Sequence, residues 1–165
     1  MLELAPRYNM DSTDFKTPEE MKQIIDLSGE YNRFVRVVER ESGENTFLRV
    51  FFDPLLMPFE SEISVALKRL VMDMPWVGFL TGHGERDMDQ IGERGYNLFA
   101  KNKLFLHSLP NQGFDVTGVT LEQDIPDSIN IIVIADMHTA LSENEMRHLQ
   151  KYIARGGNLF IAGEP

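Results

Sequence analysis

Two histidines and three carboxylates stand where a parallel α/β fold would gather them. His83 and Glu85 lie in the loop Gly82-His83-Gly84-Glu85-Arg86, Asp136 and His138 follow the apolar run Asn130–Ala135, and Glu164 follows Asn158–Ala162. Imidazole combined with carboxylate is a donor set for Zn, Mn or Fe. The same pair can pass protons as general acid and base. Thr81 and Arg86 flank the loop, so Thr81, His83, Glu85, Arg86, Asp136 and His138 form a candidate ligand-binding rim. A plainer reading stands beside the chemical one. Polar residues collect at strand ends because loops meet water. His83 can cap a following helix, and Glu85 can pair with Arg86 or sit in a helix first turn. The loop is therefore expected to serve binding or architecture rather than catalysis, with no assigned catalytic residue and no resident metal.

No nucleophile accompanies these groups. The chain has no cysteine, which removes thiol chemistry, cysteine metal sites and disulfides together. No Gly-x-Ser-x-Gly elbow occurs, and Ser142 is placed to cap a helix, with Glu145 three residues later. Gly82 and Gly84 lack a third glycine in register, and no Gly-Lys-Ser/Thr follows, so they are read as permitting a tight strand-to-helix turn rather than cradling phosphate. No cofactor is expected.

Bringing such residues to one rim requires parallel strands, because ligands of open parallel sheets meet the carboxyl ends. The strand candidates are Trp76–Leu80, Phe114–Val119, Asn130–Ala135 and Asn158–Ala162. Asn130–Ala135 is continuously apolar, as a strand covered on both faces must be. A helix is expected from about Met88 to His107, weakened by Gly92 and Gly95. Another begins at Ser142, with Met146, Leu149 and Ile153 as its apolar face, and ends at Gly156-Gly157. Leu98, Phe99, Leu104, Phe105 and Leu106 are assigned to the core, with the proviso that exposed aromatics there argue for a protein partner. The order predicts a mostly parallel sheet with helices on both faces, of flavodoxin-like type.

Ahead of it, residues 1–75 read as a small α+β segment that can pack on residues 76–165. Residues 1–16 are an irregular arm. Thr17-Pro18-Glu19-Glu20 starts a helix running to about Leu27. Phe34–Glu39 and Thr46–Phe52 form a hairpin around Ser42-Gly43-Glu44-Asn45, and Asp53-Pro54 breaks the chain. Glu60–Met72 is amphipathic, with Ile63, Ala66, Leu67, Leu70 and Val71 on its stripe.

The composition sets outer limits. The 165 residues are 42% hydrophobic and 25% charged, as in ordinary globular domains. A net charge of −10 with no basic run argues against nucleic acid. No apolar stretch reaches the roughly 18 residues of a spanning helix, and no signal peptide is visible. Two readings remain, a cytosolic protein or a soluble domain of a longer membrane protein, and the stop at Gly163-Glu164-Pro165 directly after a strand favours the second.

Val77-Gly78-Phe79-Leu80-Thr81-Gly82-His83-Gly84-Glu85-Arg86 resembles the auxiliary domain of GldG-like ABC-type transport systems, named for gliding-motility proteins of Bacteroidota. So do Gly113–Val116, Ile125-Pro126-Asp127, Leu141–Glu145 and Tyr152–Leu159, in that order, and Phe59–Ile63 ahead of them. The resemblance covers residues 47–165. It implies a fold similar to class I glutamine amidotransferases and to a domain of intraflagellar-transport proteins, without enzymatic activity. It also implies an extracytoplasmic (periplasmic) location on a membrane protein, with the transporter's membrane and ATPase subunits or another protein as partners. His83 and Glu85 match the family motif, and no catalytic residue carries over. Against this reading stand a metal-assisted hydrolase and a sugar or small-molecule binding domain built on the same rim.

Overall fold

The computed structural model describes residues 11, 13, 15–31, 33–51 and 57–163. Residues 1–10 of the expected arm, Phe52, the Asp53-Pro54 break and Glu164 lie outside the described residues. Residues 1–34 and 35–165 are separate compact units.

In the first unit, α1 (Pro18–Ile24) opens on a complete capping box. The Thr17 amide donates to the Glu20 carboxylate at 2.7 Å, and the Glu20 amide returns to the Thr17 hydroxyl at 3.3 Å. The helix ends at Ile24 rather than near Leu27.

The second unit begins with the antiparallel hairpin β1 (Arg36–Glu39) and β2 (Asn45–Leu48). Both strands are shorter than the sequence suggested. Helix α2 (Glu60–Val71) packs on the hairpin and buries Ala66 and Leu70, while Ile63, Leu67 and Val71 of the expected stripe stay exposed. The sheet follows: β3 (Trp76–Leu80), β4 (Asp115–Val119), β5 (Ile129–Ala135) and β6 (Asn158–Ala162), all parallel, in the order β4-β3-β5-β6. This is the α/β arrangement expected, a four-stranded parallel sheet flanked by helices and consistent with a flavodoxin-like order.

The centre of the sheet is covered on both faces. On one face Leu80, Ile132 and Ile134 meet Leu149 and Tyr152 of α4 (Glu143–Ala154). On the other, Val77, Phe79 and Val133 meet Met88, Ala100 and Leu109. Phe79, Leu80, Ile132 and Tyr152 are almost fully buried, and each large apolar side chain so placed contributes about 1.5–3 kcal/mol. Tyr152 takes the inward place expected for Met146 and Ile153, which remain half exposed. On the edge strand β6, Phe160 and Ile161 are exposed, and as consecutive strand residues they point to opposite faces.

The expected helix over 88–107 does not form. Helix α3 is the single turn Asn97–Ala100. Ahead of it the chain folds back on itself, with an isolated bridge between Asp87 and Gly95 and the Tyr96 amide donating to the Asp87 carbonyl at 2.8 Å. This return needs glycine, since a Cβ on Gly95 would lie 1.8 Å from the Gln90 carbonyl oxygen. The short helix cannot hide the aromatic-apolar cluster assigned to the core. Leu98, Phe99 and Leu104 are 56%, 43% and 43% exposed.

Candidate functional site

Strands β3 and β5 are neighbours, yet β3 leads outward to β4 and β5 leads the other way to β6. Such a switch in direction leaves a crevice at the strand carboxyl ends. The loops that leave β3 and β5 there carry all six residues of the predicted rim.

The backbone stitches the two loops together. The His83 carbonyl accepts from the amides of His138 and Thr139 at 2.9 and 3.0 Å, and the Arg86 amide donates to the Ala135 carbonyl at 2.8 Å. Gly82 and Gly84 have φ of +119° and +80°, a region costly for residues with a Cβ. At Gly84 a Cβ would also stand 3.2 Å from the Cβ of His138. The glycines thus make a tight turn, but it leads into a loop and not into the helix expected. No helix starts at the loop, so His83 does not cap one.

The side chains fall into two groups. In the first, the His83 ring stands between two carboxylates: Nδ1 is 3.4 Å from Glu85 Oε1, and Nε2 is 3.1 Å from Glu145 Oε1. The Glu85 side chain is 2% exposed, and its other oxygen accepts the His83 amide at 2.7 Å. His83 Nδ1 and Glu85 Oε1 are buried and make no hydrogen bond, so that contact is one of proximity. Glu145 also receives the Ser142 amide at 2.7 Å as the capping partner of α4. Hydrogen bonds from Ser142, side chain first and then backbone, hold the Glu145 carboxyl below its ordinary range, with a smaller contribution from His83.

Asp136 centres the second group. Its φ of 56° is left-handed, and its amide donates to the Ala162 carbonyl at 2.7 Å. Its Oδ2 lies 3.1 Å from Arg94 Nη2, 3.6 Å from Arg86 Nε and 3.5 Å from His138 Nε2. Arg94 Nη2 stands 2.7 Å from His138 Nε2. Arg94 and the Asp136 carboxylate thus both face the same ring nitrogen of His138. Arg86 is held further by the Glu93 carbonyl at 2.7 Å and lies over the Tyr96 ring at 5.9 Å.

Five of the six expected residues therefore meet in two groups joined by backbone. Thr81 is turned aside, its amide 3.0 Å and its hydroxyl 3.4 Å from the Val119 carbonyl. Glu85 faces His83 rather than Arg86. Among the described residues no group of three His, Cys, Asp or Glu is arranged to hold a metal ion. No described hydroxyl bonds to either imidazole.

Sequence reasoning missed two members, Arg94 and Glu145. Glu145 carried only the signature of a helix cap. Arg94 lies in a segment whose periodicity suggested helix, and only the glycines around it hinted at a return toward the rim.

Residues 74–165 match the family model described as an ABC-type uncharacterized transport system. No curated protein and no solved structure matches the chain. The match spans more than half of the sequence, and the chain belongs to that family of transport-system auxiliary domains.

Proposed function

We propose that this auxiliary domain of an ABC-type transport system is a non-catalytic binding module of the GldG-like kind, acting on the extracytoplasmic side of the membrane. The observation that carries the reading is the closure of the rim. His83 is bounded by Glu85 and Glu145, and Asp136 by Arg86 and Arg94, so its charged groups answer one another and no nucleophile stands among them. The exposed Leu98, Phe99 and Leu104 supply an apolar surface for a protein partner, of the kind that marks interaction sites on otherwise polar domains. The rim residues Arg94 and His138, both about half exposed, are the groups a ligand would meet first.

The experiment is co-purification with the membrane and ATPase subunits of the transporter, run beside a Leu98→Asp, Phe99→Asp variant. Capture by the wild type and its loss in a folded variant is the expected result. Capture that is indifferent to the substitutions removes the surface from the proposal, and failure of the wild type to associate overturns the proposal itself. Reporter fusions that distinguish the two sides of the membrane test the location, and a cytoplasmic signal overturns it.

A further inference from the structure

The clearest amphipathic pattern in the sequence belongs to α2, and the fold uses only part of it. Ala66 and Leu70 are buried against the hairpin. Ile63, Leu67 and Val71 are 39%, 50% and 69% exposed, and Phe59 at the N-cap is 53% exposed. Residues four apart form one ridge on a helix surface. Ile63, Leu67 and Val71 therefore make a continuous apolar row that starts from Phe59. Such a row left in water is a helix face without its partner.

Charges of opposite sign stand at the two ends of this row. Glu60 lies in the first turn and Lys68 in the last. Both are exposed, and among the described residues neither side chain makes a hydrogen bond or an ion pair. The other charged groups of α2 are engaged within the fold. Arg69 meets Asp115 at 2.8 Å and the carbonyls of Pro110 and Phe114 at 3.2 and 3.1 Å. Glu62 is buried and accepts the Phe51 and Phe59 amides at 3.2 and 2.9 Å. Glu60 and Lys68 are thus the charges that α2 can offer to another molecule.

We infer that α2 is the docking face for a second copy of this chain, packed antiparallel about a two-fold axis. With Ile63 of one copy beside Leu67 of the other, Phe59 falls beside Val71. Glu60 then comes within a lysine's reach of Lys68, at both ends of the pair at once. The face is complementary to itself, as a two-fold interface must be. Antiparallel axes also set the positive end of each helix beside the negative end of the other. The apolar rows supply the attraction, and the exposed ion pairs, each weak, set the orientation. A parallel pair would bring Glu60 against Glu60. A bilayer is a poorer match, because helices that lie on anionic membranes flank the apolar face with several Lys and Arg. Lys68 is the one unengaged cation of α2 among the described residues, in a chain of net charge −10. The helix has 12 residues and is about 18 Å long. The interface is therefore small, and a dissociation constant of about 10–100 μM is expected. The inference is independent of the rim and of the surface at Leu98, Phe99 and Leu104.

The test is sedimentation velocity of the 165-residue chain from about 1 μM to about 1 mM, a range that brackets that constant. The chain should pass from monomer to dimer as concentration rises. Leu67→Lys, with a thermal melt to report folding separately, should raise the dissociation constant roughly tenfold or more. Val71→Lys, at the most exposed position of the row, should do the same. Ile91→Lys, an equal change at an exposed apolar residue in the loop ahead of α3, should leave dimerisation as it is. Glu60→Lys alone and Lys68→Glu alone should each dimerise roughly two- to fivefold more weakly. A mixture of those two variants should form a heterodimer tighter than either homodimer, because each offers the charge the other lacks. A chain that stays monomeric over the whole range overturns the inference. So does a dimer indifferent to Leu67→Lys and Val71→Lys, or one weakened as much by Ile91→Lys. A mixture no tighter than the single variants overturns the antiparallel arrangement.

Discussion

His83 is the residue on which the β3 loop depends, because its ring spans two carboxylates that belong to different parts of the chain. Glu85 is almost wholly buried, with the imidazole against one of its oxygens and the His83 amide donating to the other. Removing the ring in His83→Ala should cost about 2 kcal/mol, because it takes away the Nε2 contact with Glu145 at 3.1 Å and empties a buried position. A urea titration showing a change below about 0.5 kcal/mol would count against the ring's role. Glu145 gives a pH signature. Its carboxyl is held below its ordinary value of 4.5, so it contributes stability that is fully present above that pH and is lost as pH falls through the lowered value. Glu145→Gln should therefore flatten the acid limb of a plot of urea midpoint against pH. An unchanged acid limb would show that the shift does not couple to folding. His83, Glu85, Asp136 and His138 could be chosen from sequence because each closely follows an apolar run that reads as a strand. Their partners could not, since Glu145 and Arg94 approach them through the fold rather than along the chain.

At the scale of elements, local signals were legible and long-range ones were not. Thr17 with Glu20 and Ser142 with Glu145 form the capping boxes their spacing announced, because a cap is decided within four residues. The four parallel strands were also visible, Asn130–Ala135 most plainly, since a strand covered on both faces is continuously apolar. The segment from Met88 to His107 misled because its apolar residues recur at helical intervals while its backbone is decided by Gly95. There the chain passes so close to the Gln90 carbonyl that a side chain has no room. Gly95→Ala should accordingly cost more than Gly84→Ala, whose main penalty is the left-handed conformation, about 1–2 kcal/mol. Paired thermal melts decide the order, and equal losses would mean that the return loop shifts easily. The same missing helix explains why Leu98, Phe99 and Leu104 are open to solvent.

Across the second unit, one side chain ties the hairpin-and-helix layer to the sheet. Arg69 of α2 meets Asp115 at the start of β4 and the two carbonyls beside it, so a single guanidinium answers three acceptors. Arg69→Met keeps the apolar stem and removes the fork. Amide exchange in β1, β2 and α2 should then quicken by about tenfold while β3 and β5 keep their protection, since local opening draws on local contacts. Uniform quickening throughout would show that the layer and the sheet open together. The carboxylate of Glu145 has a consequence in time as well. It meets His83 across roughly sixty residues of chain, which a ribosome adding about 5–20 residues per second needs roughly 3–12 seconds to supply. For that interval a newly made β3 loop waits with its imidazole unclamped, and the rim is finished only when the start of the last helix arrives.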